Sequence, residues 1–286
     1  MIVFFGTSRY SAQFLELAIK NGLKIDLVVS APSKPTGRRQ ILTENPTVIA
    51  AKEKNIPCLT SLDEITRYQD NKLTIGLILD FNRLIPQNII ELFPKGIINI
   101  HFSKLPQYRG PAPVQATILH GDKEAWISYF LITEKLDEGP ILTQTSLPLD
   151  GTETAESLYQ KLIAKAASEI PQILDDYLSD RVRPCQQHGQ LTYSQKLTSQ
   201  KAKIDWTKPS QEIERLIRAA YPEPGAWTEV QFKIQNSKFK VMRLKILKAH
   251  LENSNLILDT VQLEGKKPVT WKQFCEGHPG VVVSRQ

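Results

Sequence analysis

The chain lacks the sequence patterns that mark several common kinds of chemistry. Its cysteines, Cys58, Cys185 and Cys275, are odd in number and far apart, and neither a CxxC pair nor an HExxH sequence is present. Because this spacing offers no cluster of metal ligands, no metal site is predicted. Unpaired thiols are typical of a reducing compartment, and the N-terminus has neither the basic start nor the cleavage site of a signal peptide, so we expect a cytoplasmic protein.

Long apolar stretches and glycine-rich turns are missing as well. No apolar run approaches the ~20 residues that cross a bilayer, so no membrane association is predicted. The turn after the first apolar run has the sequence GTSRYS, with a single glycine, and there is no Walker A sequence. A dinucleotide or a nucleoside triphosphate is therefore not expected at this turn.

What the chain does contain is enough sequence for two domains and an uneven distribution of charge. Its 286 residues exceed one typical domain, and a hydrophobic content of 41% is sufficient for a buried core. When Lys and Arg are counted as positive and Asp and Glu as negative, the net charge is −3 for residues 1–180 and +9 for residues 181–286. The two parts sum to the net charge of +6 for the whole chain. The basic last third favours a polyanionic partner, although a solvated lysine-rich surface would give the same asymmetry.

Strand and helix signals alternate over the first 180 residues. The continuous apolar runs are typical of parallel strands that are covered on both faces, and the pattern as a whole predicts a doubly wound α/β domain. Ser11 is predicted to cap the first helix, and a loop is predicted around Pro32, Pro35 and Gly37. The predicted strands are 2–5, 25–29, 74–79, 97–100, 127–132 and 141–147, and the later helices are 46–54, 113–120 and 152–177.

The pattern changes after residue 180. Residues 181–202 are rich in Arg, Gln, Thr, Ser and Lys and are predicted to form a basic linker. A helix over 209–220 and short β-like runs from Trp227 onward follow, and strands of that length and spacing indicate a small barrel. The predicted domains are therefore 1–180 and 203–286, joined by the linker.

Three residues of the first domain form a candidate catalytic group. Asn99 and His101 end an apolar run, and because strand side chains alternate between faces, both should point the same way. Asp137 lies near the end of the next apolar stretch. An amide can donate to an oxyanion, an imidazole can relay a proton, and a carboxylate can hold the imidazole, all without a metal. Taken singly, His101 is also compatible with a structural role and Asp137 with a turn cap.

The segments around these residues resemble the folate-dependent formyltransferases. The loop SKLPQYRGPAP, residues 103–113, is similar to the segment after the catalytic histidine of that family, and DEGPIL, residues 137–142, is similar to the segment around its catalytic aspartate. The resemblance implies transfer of a formyl group from 10-formyltetrahydrofolate to an amine. It implies that Asn99 and His101 stabilise the oxyanion, and that Asp137 orients His101 and helps to move the proton. It implies folate contacts from Ser103, Lys104, Leu105 and Pro106.

Further segments resemble the branch of the family that formylates the initiator methionyl-tRNA. SKPTGRR, residues 33–39, is similar to a basic loop of that branch, which implies that Lys34, Arg38 and Arg39 contact the tRNA. Residues 193–209, 217–230 and 263–274 resemble the branch as well. The resemblance implies a Rossmann-like formyltransferase domain followed by a small OB-like, tRNA-binding barrel, and we expect a monomer.

The chain departs from the family pattern at several points. Phe81 and Asn82 replace a usual Tyr-Gly pair, Lys104 replaces a Leu, and Trp126 replaces a Gly. Lys104 either meets the glutamate tail of the folate or points to solvent. The stretch between Val230 and the motif at 263–274 is short, so the barrel is predicted to be abridged or open.

Two alternative functions stay open at this point. One is the same chemistry on an amino-sugar nucleotide, and the other is a non-catalytic, RNA-binding relative. The basic segments favour tRNA as the acceptor, and the presence of all three candidate catalytic residues favours an enzyme.

Overall fold

The computed structural model of the chain describes residues 1–36, 41–71, 73–233, 239–279 and 282–283. Contacts divide it into two compact units. The first contains Met1–Gly110, Ala125–Leu147 and Tyr159–Tyr193, and the second contains Pro111–Glu124, Pro148–Leu158 and Ser194–Gln286. Each unit gathers three stretches of the chain, whereas the division predicted from the sequence gives each domain one stretch; that division stays a prediction.

The strands and helices of the described residues have the following bounds. The strands are β1 (Ile2–Phe5), β2 (Leu27–Val29), β3 (Lys34–Thr36), β4 (Ile41–Thr43), β5 (Cys58–Leu59), β6 (Ile75–Ile78), β7 (Ile97–His101), β8 (Glu124–Leu131), β9 (Ile141–Pro148), β10 (Ala226–Lys233), β11 (Phe239–Glu252), β12 (Asn255–Leu263), β13 (Val269–Thr270) and β14 (Val282–Val283). The helices are α1 (Arg9–Lys20), α2 (Pro46–Glu53), α3 (Gln87–Ile90), α4 (Pro113–His120), α5 (Ala155–Leu178), α6 (Ser210–Ala220) and α7 (Trp271–Gly277), with a 3₁₀ helix at Asp63–Asn71. Within these ranges no helix combines the length and the apolar composition that a bilayer crossing requires.

The first unit is built on a seven-stranded sheet in the order β5-β2-β1-β6-β7-β8-β9. Strands β5, β2, β1, β6 and β7 run parallel to their neighbours, and β8 runs antiparallel to β7. The chain moves outward from β1 to β2 and β5 and then returns to the other side of β1, which is the doubly wound order. The α/β class predicted from the sequence is confirmed.

Apolar residues are buried along the central strands of this sheet, as the continuous apolar runs predict. All four residues of β6 are buried, and Phe5 of β1 makes edge contacts with the rings of Phe81 and Phe93. Burying one such aromatic side chain contributes roughly 1.5–3 kcal/mol relative to leaving it exposed. The sheet therefore provides a rigid base for the loops at its edge.

Hydrogen bonds join the ends of β1 and β6, where the strand order reverses. The backbone N–H and the hydroxyl of Thr7 donate to the carbonyl oxygen of Asp80 at 3.2 and 2.9 Å, and the hydroxyl of Ser11 donates to the carbonyl oxygen of Leu79 at 2.6 Å. A Cβ atom on Gly6 would lie 2.5 Å from the Cβ atom of Ser11. The crevice in which doubly wound folds commonly hold a dinucleotide is thus spanned by these side chains.

The first helix begins earlier than the sequence predicts. Ser8, not Ser11, is its N-cap, and the Ser8 hydroxyl accepts hydrogen bonds from the backbone N–H groups of Tyr10 and Ser11. Ser11 is the third helical residue and completes a capping box through its own side chain. The prediction was wrong because two serines precede the apolar stripe, and only the tertiary bond to Leu79 distinguishes their roles.

Several short elements were not predicted, among them β5, α3, the 3₁₀ helix at Asp63–Asn71, β3, β4 and α7. The segment predicted as a loop around Pro32, Pro35 and Gly37 contains β3 and β4, which pair antiparallel with Lys34 opposite Thr43; Gly37 lies outside the described residues. Helix α7 also escaped notice, although Thr270 and Gln273 form a capping box at its start and the T-x-x-Q spacing was visible in the sequence.

The second unit contains a five-stranded antiparallel sheet in the order β13-β12-β11-β10-β14. Helix α6 carries Ile213 and Ile217 into a core with Leu244 and Ile246 of β11. The small β domain that the sequence predicts is confirmed. In the described part of the chain the pairing is linear, with β13 and β14 as the two end strands.

Replacing Ser8 with alanine tests the position of the helix cap. The variant loses the acceptor for two backbone N–H groups of α1, so we expect the free energy of unfolding to fall by about 1 kcal/mol. Urea unfolding followed by circular dichroism measures the change. Ser33→Ala, at an exposed serine outside any helix, is the matched control. Equal unfolding free energies for the two variants would contradict the cap assignment.

Candidate active site

Strand β7 carries Asn99 and His101 at its carboxyl end. The two residues are separated by one position, which places both side chains on the same face of the sheet, as predicted. Across the antiparallel pair, Asn99 lies opposite Phe130 and His101 lies opposite Ser128. Asn99 is half-buried, whereas the His101 ring is only 8% exposed.

The ring of His101 is oriented by a backbone carbonyl. Its Nε2 atom lies 3.1 Å from the carbonyl oxygen of Tyr108. Because a carbonyl oxygen can only accept, Nε2 carries the proton in this contact, and the neutral ring has its lone pair on Nδ1. The ring of Phe130 meets the imidazole edge-on at a centroid distance of 6.5 Å. The imidazole is thus held in one orientation with a defined tautomer.

The tripeptide Tyr108-Arg109-Gly110, here called the YRG loop, also binds the carboxylate of Asp137. The backbone N–H of Gly110 donates to Oδ2 of Asp137 at 2.8 Å, and Asp137 is only 7% exposed. The guanidinium of Arg109 pairs with the next residue, Glu138, at 2.9 Å. The predicted imidazole and carboxylate are therefore brought together by being bound to the same three-residue loop.

Asn99 and Asp137 line a common cavity of about 650 Å³ in the first unit. Its apolar wall includes Ile78 and Phe81 at the end of β6 and Ile132 after β8. Two cationic residues, Arg83 and Lys135, also line it. The volume lies within the range of small-molecule sites, and the lining combines an apolar surface with a few polar groups, as such sites usually do. Phe81 is one of the departures from the family pattern.

The segment predicted to contact folate, residues 103–106, is mostly buried. The Ser103 hydroxyl donates to the carbonyl oxygen of Gln107 at 2.6 Å, and Leu105 and Pro106 are buried. Ser128 donates to the carbonyl oxygen of Ser103 at 2.6 Å and accepts from the N–H of Leu105 at 3.1 Å. Strand β8 therefore fixes the backbone that directly follows His101.

Lys104 is the exposed member of this segment, and it contacts a second unusual residue. Its Nζ atom lies 4.0 Å from the centroid of the Trp126 ring. The two departures from the family pattern thus form a cation–π pair, which a glycine at position 126 could not provide. A pair of this kind at an exposed site contributes about 0.5–1 kcal/mol.

A buried phenol supports β8 from within the first unit. Tyr129 is fully buried, and its hydroxyl donates to Oε2 of Glu169 at 2.8 Å. Burial, assisted by the adjacent carboxylate of Glu169, raises the pKa of the Tyr129 phenol, so this group remains a hydrogen-bond donor at every physiological pH. Lys165 neutralises Glu169 through an ion pair at 2.7 Å.

The predicted tRNA contacts lie mostly outside the described residues. Lys34 is the first residue of β3, where only its backbone is described, and Arg38 and Arg39 fall outside the described ranges. Their role stays a prediction. In the described ranges, no three His, Cys, Asp or Glu side chains form a group that could hold a metal ion.

Sequence reasoning missed two residues that surround Asp137. Arg109 is 9% exposed and donates through Nη2 to Oε1 of Gln187 at 2.8 Å. Gln187 lies in the segment predicted as a linker, which its polar composition did not distinguish from a free tether. The sequence did contain a signal for Arg109, because this arginine lies in the loop after His101 and its acidic partner, Glu138, directly follows Asp137. No local pattern marks Gln187.

The family of the chain is identified by comparison with known protein families. The family description "Formyl transferase" matches residues 1–174, and "Formyl transferase, C-terminal domain" matches residues 196–256. The chain belongs to the formyl transferase family, which confirms the resemblance found in the sequence.

Individual relatives and solved structures are also similar to this chain. The chain is 33% identical to a methionyl-tRNA formyltransferase of Phenylobacterium zucineum, with 96% of each chain covered, and 30% identical to one of Thermodesulfovibrio yellowstonii, with 96% of this chain and 95% of the relative covered. A methionyl-tRNA formyltransferase structure from Clostridium thermocellum is similar in fold, at a TM-score of 0.62 and 21% identity, covering 92% and 97%. A sugar 3N-formyl transferase solved with dTDP and 5-N-formyl-THF matches at a TM-score of 0.65 and 23% identity, covering 94% and 96%.

Replacing Gly139 with alanine tests how closely the segment after Asp137 packs on β8. A Cβ atom at this position would lie 1.7 Å from the carbonyl oxygen of Leu131, so the backbone must shift. We expect the free energy of unfolding to fall by roughly 1–3 kcal/mol, as for overpacked cores, and turnover to fall as Asp137 moves. Gly277→Ala is the control, because a Cβ atom there meets nothing within 4 Å. Wild-type stability and turnover in Gly139→Ala would refute the close packing.

Proposed function

We propose that the chain transfers a formyl group from 10-formyltetrahydrofolate to the amino group of methionyl-tRNA, the initiator aminoacyl-tRNA of translation. The observation that supports this best is the common cavity of Asn99 and Asp137, next to an imidazole bound to the same YRG loop as Asp137. The relatives that match almost the whole chain carry the name of this activity. A cytoplasmic monomer is part of the same proposal.

The catalytic roles follow from the chemistry of the three side chains. The amide N–H of Asn99 donates to the oxygen of the formyl group as it becomes an oxyanion, and His101 takes up a proton at Nδ1, through which it then supplies a second donor. Asp137 accepts the proton that leaves the attacking amine and passes it towards the departing nitrogen. The YRG loop binds both residues, so in this proposal Asp137 acts on His101 through that loop.

The cavity suits a folate in both size and lining. The formyl folate supplies the electrophilic carbon and the leaving nitrogen. Phe81, Ile85 and Ile132 offer apolar surface for a ring system, and Arg83 and Lys135 offer charge to carboxylates. Residues 103–106 are not among the residues that line this cavity, so their contact with the folate is proposed from the resemblance, with Lys104, held over Trp126, as the exposed member of the segment.

The acceptor is proposed from charge and from the relatives. The last third of the chain is strongly basic, and the sequence places three cationic residues, Lys34, Arg38 and Arg39, within six positions, where their side chains can contact phosphates. An amino-sugar nucleotide is the alternative acceptor, since a sugar formyl transferase shares the fold. Parallel assays with charged initiator tRNA, free methionine and an amino-sugar nucleotide distinguish the acceptors, and turnover with the sugar alone would refute the tRNA assignment.

Alanine at Asn99 or His101 is expected to abolish most turnover. Losing one preorganised oxyanion donor costs about 3 kcal/mol of transition-state stabilisation, so kcat should fall by roughly two orders of magnitude in either variant. Asp137→Asn keeps the shape and removes the charge, and it should reduce turnover at neutral pH. Steady-state formyl transfer measures kcat, and thermal unfolding confirms that the fold persists.

His250→Ala, at an exposed histidine of the second unit, is the matched control and should retain full activity. Near-normal turnover in Asn99→Ala or His101→Ala would contradict the role proposed for that residue. Full activity of Asp137→Asn would remove Asp137 from the mechanism.

Salt dependence tests the tRNA acceptor independently. If the acceptor is a polyanion held by cationic side chains, its apparent affinity should fall steeply as salt rises, and Arg38→Ala should weaken tRNA use more than folate use. Kinetics at several salt concentrations measure both effects. Arg67→Ala, at an exposed arginine paired with Glu64, is the control. An acceptor KM that does not respond to salt would argue against tRNA.

A further inference from the structure

The segment Cys185–Tyr193, here called the strap, crosses the first unit although its polar composition predicts a linker. The backbone groups of Cys185 and Ile141 exchange two hydrogen bonds, at 2.7 and 2.8 Å, and Tyr193 forms an isolated parallel bridge with Arg109. Between residues 183 and 190 every residue is exposed except Gln187. The strap is therefore fixed at both ends, and within residues 183–190 it directs only the Gln187 side chain inward.

Gln187 divides its hydrogen bonds between the loop that carries Asp137 and Arg109 of the YRG loop. Its Nε2 atom donates to the carbonyl oxygens of Asp137 and Gly139, both at 2.9 Å. Its Oε1 atom accepts from Nη2 and Nε of Arg109, at 2.8 and 3.3 Å. An amide has two N–H donors and an oxygen with two lone pairs, so each group has a partner. One side chain thus ties the backbone around Asp137 to the YRG loop.

Thr192, five residues further along the strap, binds the backbone of the YRG loop. Its hydroxyl accepts from the backbone N–H of Tyr108 at 2.9 Å, and its carbonyl oxygen accepts from the N–H of Arg109 at 3.0 Å. The carbonyl oxygen of Tyr108 is the group that orients the His101 ring. Thr192 therefore fixes the peptide on which the position of the imidazole depends.

Tyr108 and Asp137, whose backbones the strap contacts, both have unusual backbone conformations. Tyr108 and Asp137 have φ values of 56° and 54°, in the left-handed region that residues other than glycine occupy at a cost. Such conformations persist only when the surrounding structure over-determines them. Bonds from the strap contribute to this next to both candidate catalytic groups.

We propose that Gln187 and Thr192 are positioning residues for formyl transfer, acting through Asp137 and His101 respectively. This inference rests on the proposed function, because it assigns to those two residues the roles described above. Neither strap side chain needs to touch the substrate. Each sets the position of a catalytic group from a different loop, and a displacement of about 1 Å can cost on the order of 100-fold in rate.

Gln187→Met is the main test, because methionine keeps the length of the side chain and removes every hydrogen bond. We expect kcat for formyl transfer to fall by roughly 10- to 100-fold with little change in the KM for the formyl folate, since the loss lies in the transition state. Gln186→Met, at the exposed neighbouring glutamine, is the matched control and should match the wild type. Equal kcat values for the two variants would overturn the proposal for Gln187.

A double-mutant cycle distinguishes positioning from general stabilisation. If Gln187 acts through Asp137, then Gln187→Met should have little further effect in an Asp137→Asn background, so the two losses should not add. Additive losses would show that Gln187 does not act through Asp137. Because the wild-type chain is assayed alongside, absence of transfer in the wild type would refute the proposed function instead.

Thr192 has its own pair of variants. Thr192→Val removes the hydroxyl that accepts from Tyr108 and should lower kcat, whereas Thr192→Ser keeps the hydroxyl and should restore most of the rate. Thermal unfolding of both variants checks that the fold persists. Equal losses in the valine and serine variants would overturn the proposed role of the Thr192 hydroxyl.

Discussion

The candidate site depends on the backbone of the YRG loop, which binds two candidate catalytic groups from different parts of the chain. The carbonyl oxygen of Tyr108 fixes the His101 ring, and the N–H of Gly110 fixes the carboxylate of Asp137. Because backbone atoms make both bonds, the identity of the side chains matters mainly through the conformation that they allow. Gly110 has a φ of 108°, which only glycine adopts without strain. The backbone geometry of the loop therefore determines how the His101 ring and the Asp137 carboxylate are held.

The sequence predicted the fold wherever burial alone determines structure. Strands β1, β6 and β7 are continuous apolar runs, and α6 presents a clear apolar stripe, so their positions follow from periodicity. Prediction failed where other forces decide. Pro35 in β3, together with Pro32 before it, indicates a loop, and the choice between Ser8 and Ser11 as helix cap depends on the hydrogen bond from Ser11 to Leu79, directly after β6 and far along the chain.

The candidate catalytic residues were open to prediction to different degrees. The spacing of Asn99 and His101 on a strand places them on one face, whereas Asp137 was a candidate only from its position near the end of the next apolar stretch, which a turn cap would explain equally well. Gln187 could not be predicted, because its partners are 48 to 78 residues away and its neighbours are exposed polar residues. Lys104 and Trp126 looked like two separate departures, and only the structure shows that they contact each other.

The bonds between the ends of β1 and β6 have a consequence for how one topology serves different ligands. Thr7 and Ser11 tie these ends together, and the cavity lies beside them, between Ile78 and Phe81 of the β6 end and Asn99 of β7. The candidate site is thus at the neighbouring pair of strand ends, β6 and β7, and not at the β1–β6 switch point where doubly wound folds commonly bind a nucleotide. Side chains that occupy one switch point leave the next pair of strand ends as the open face of the sheet, while the strand order stays the same.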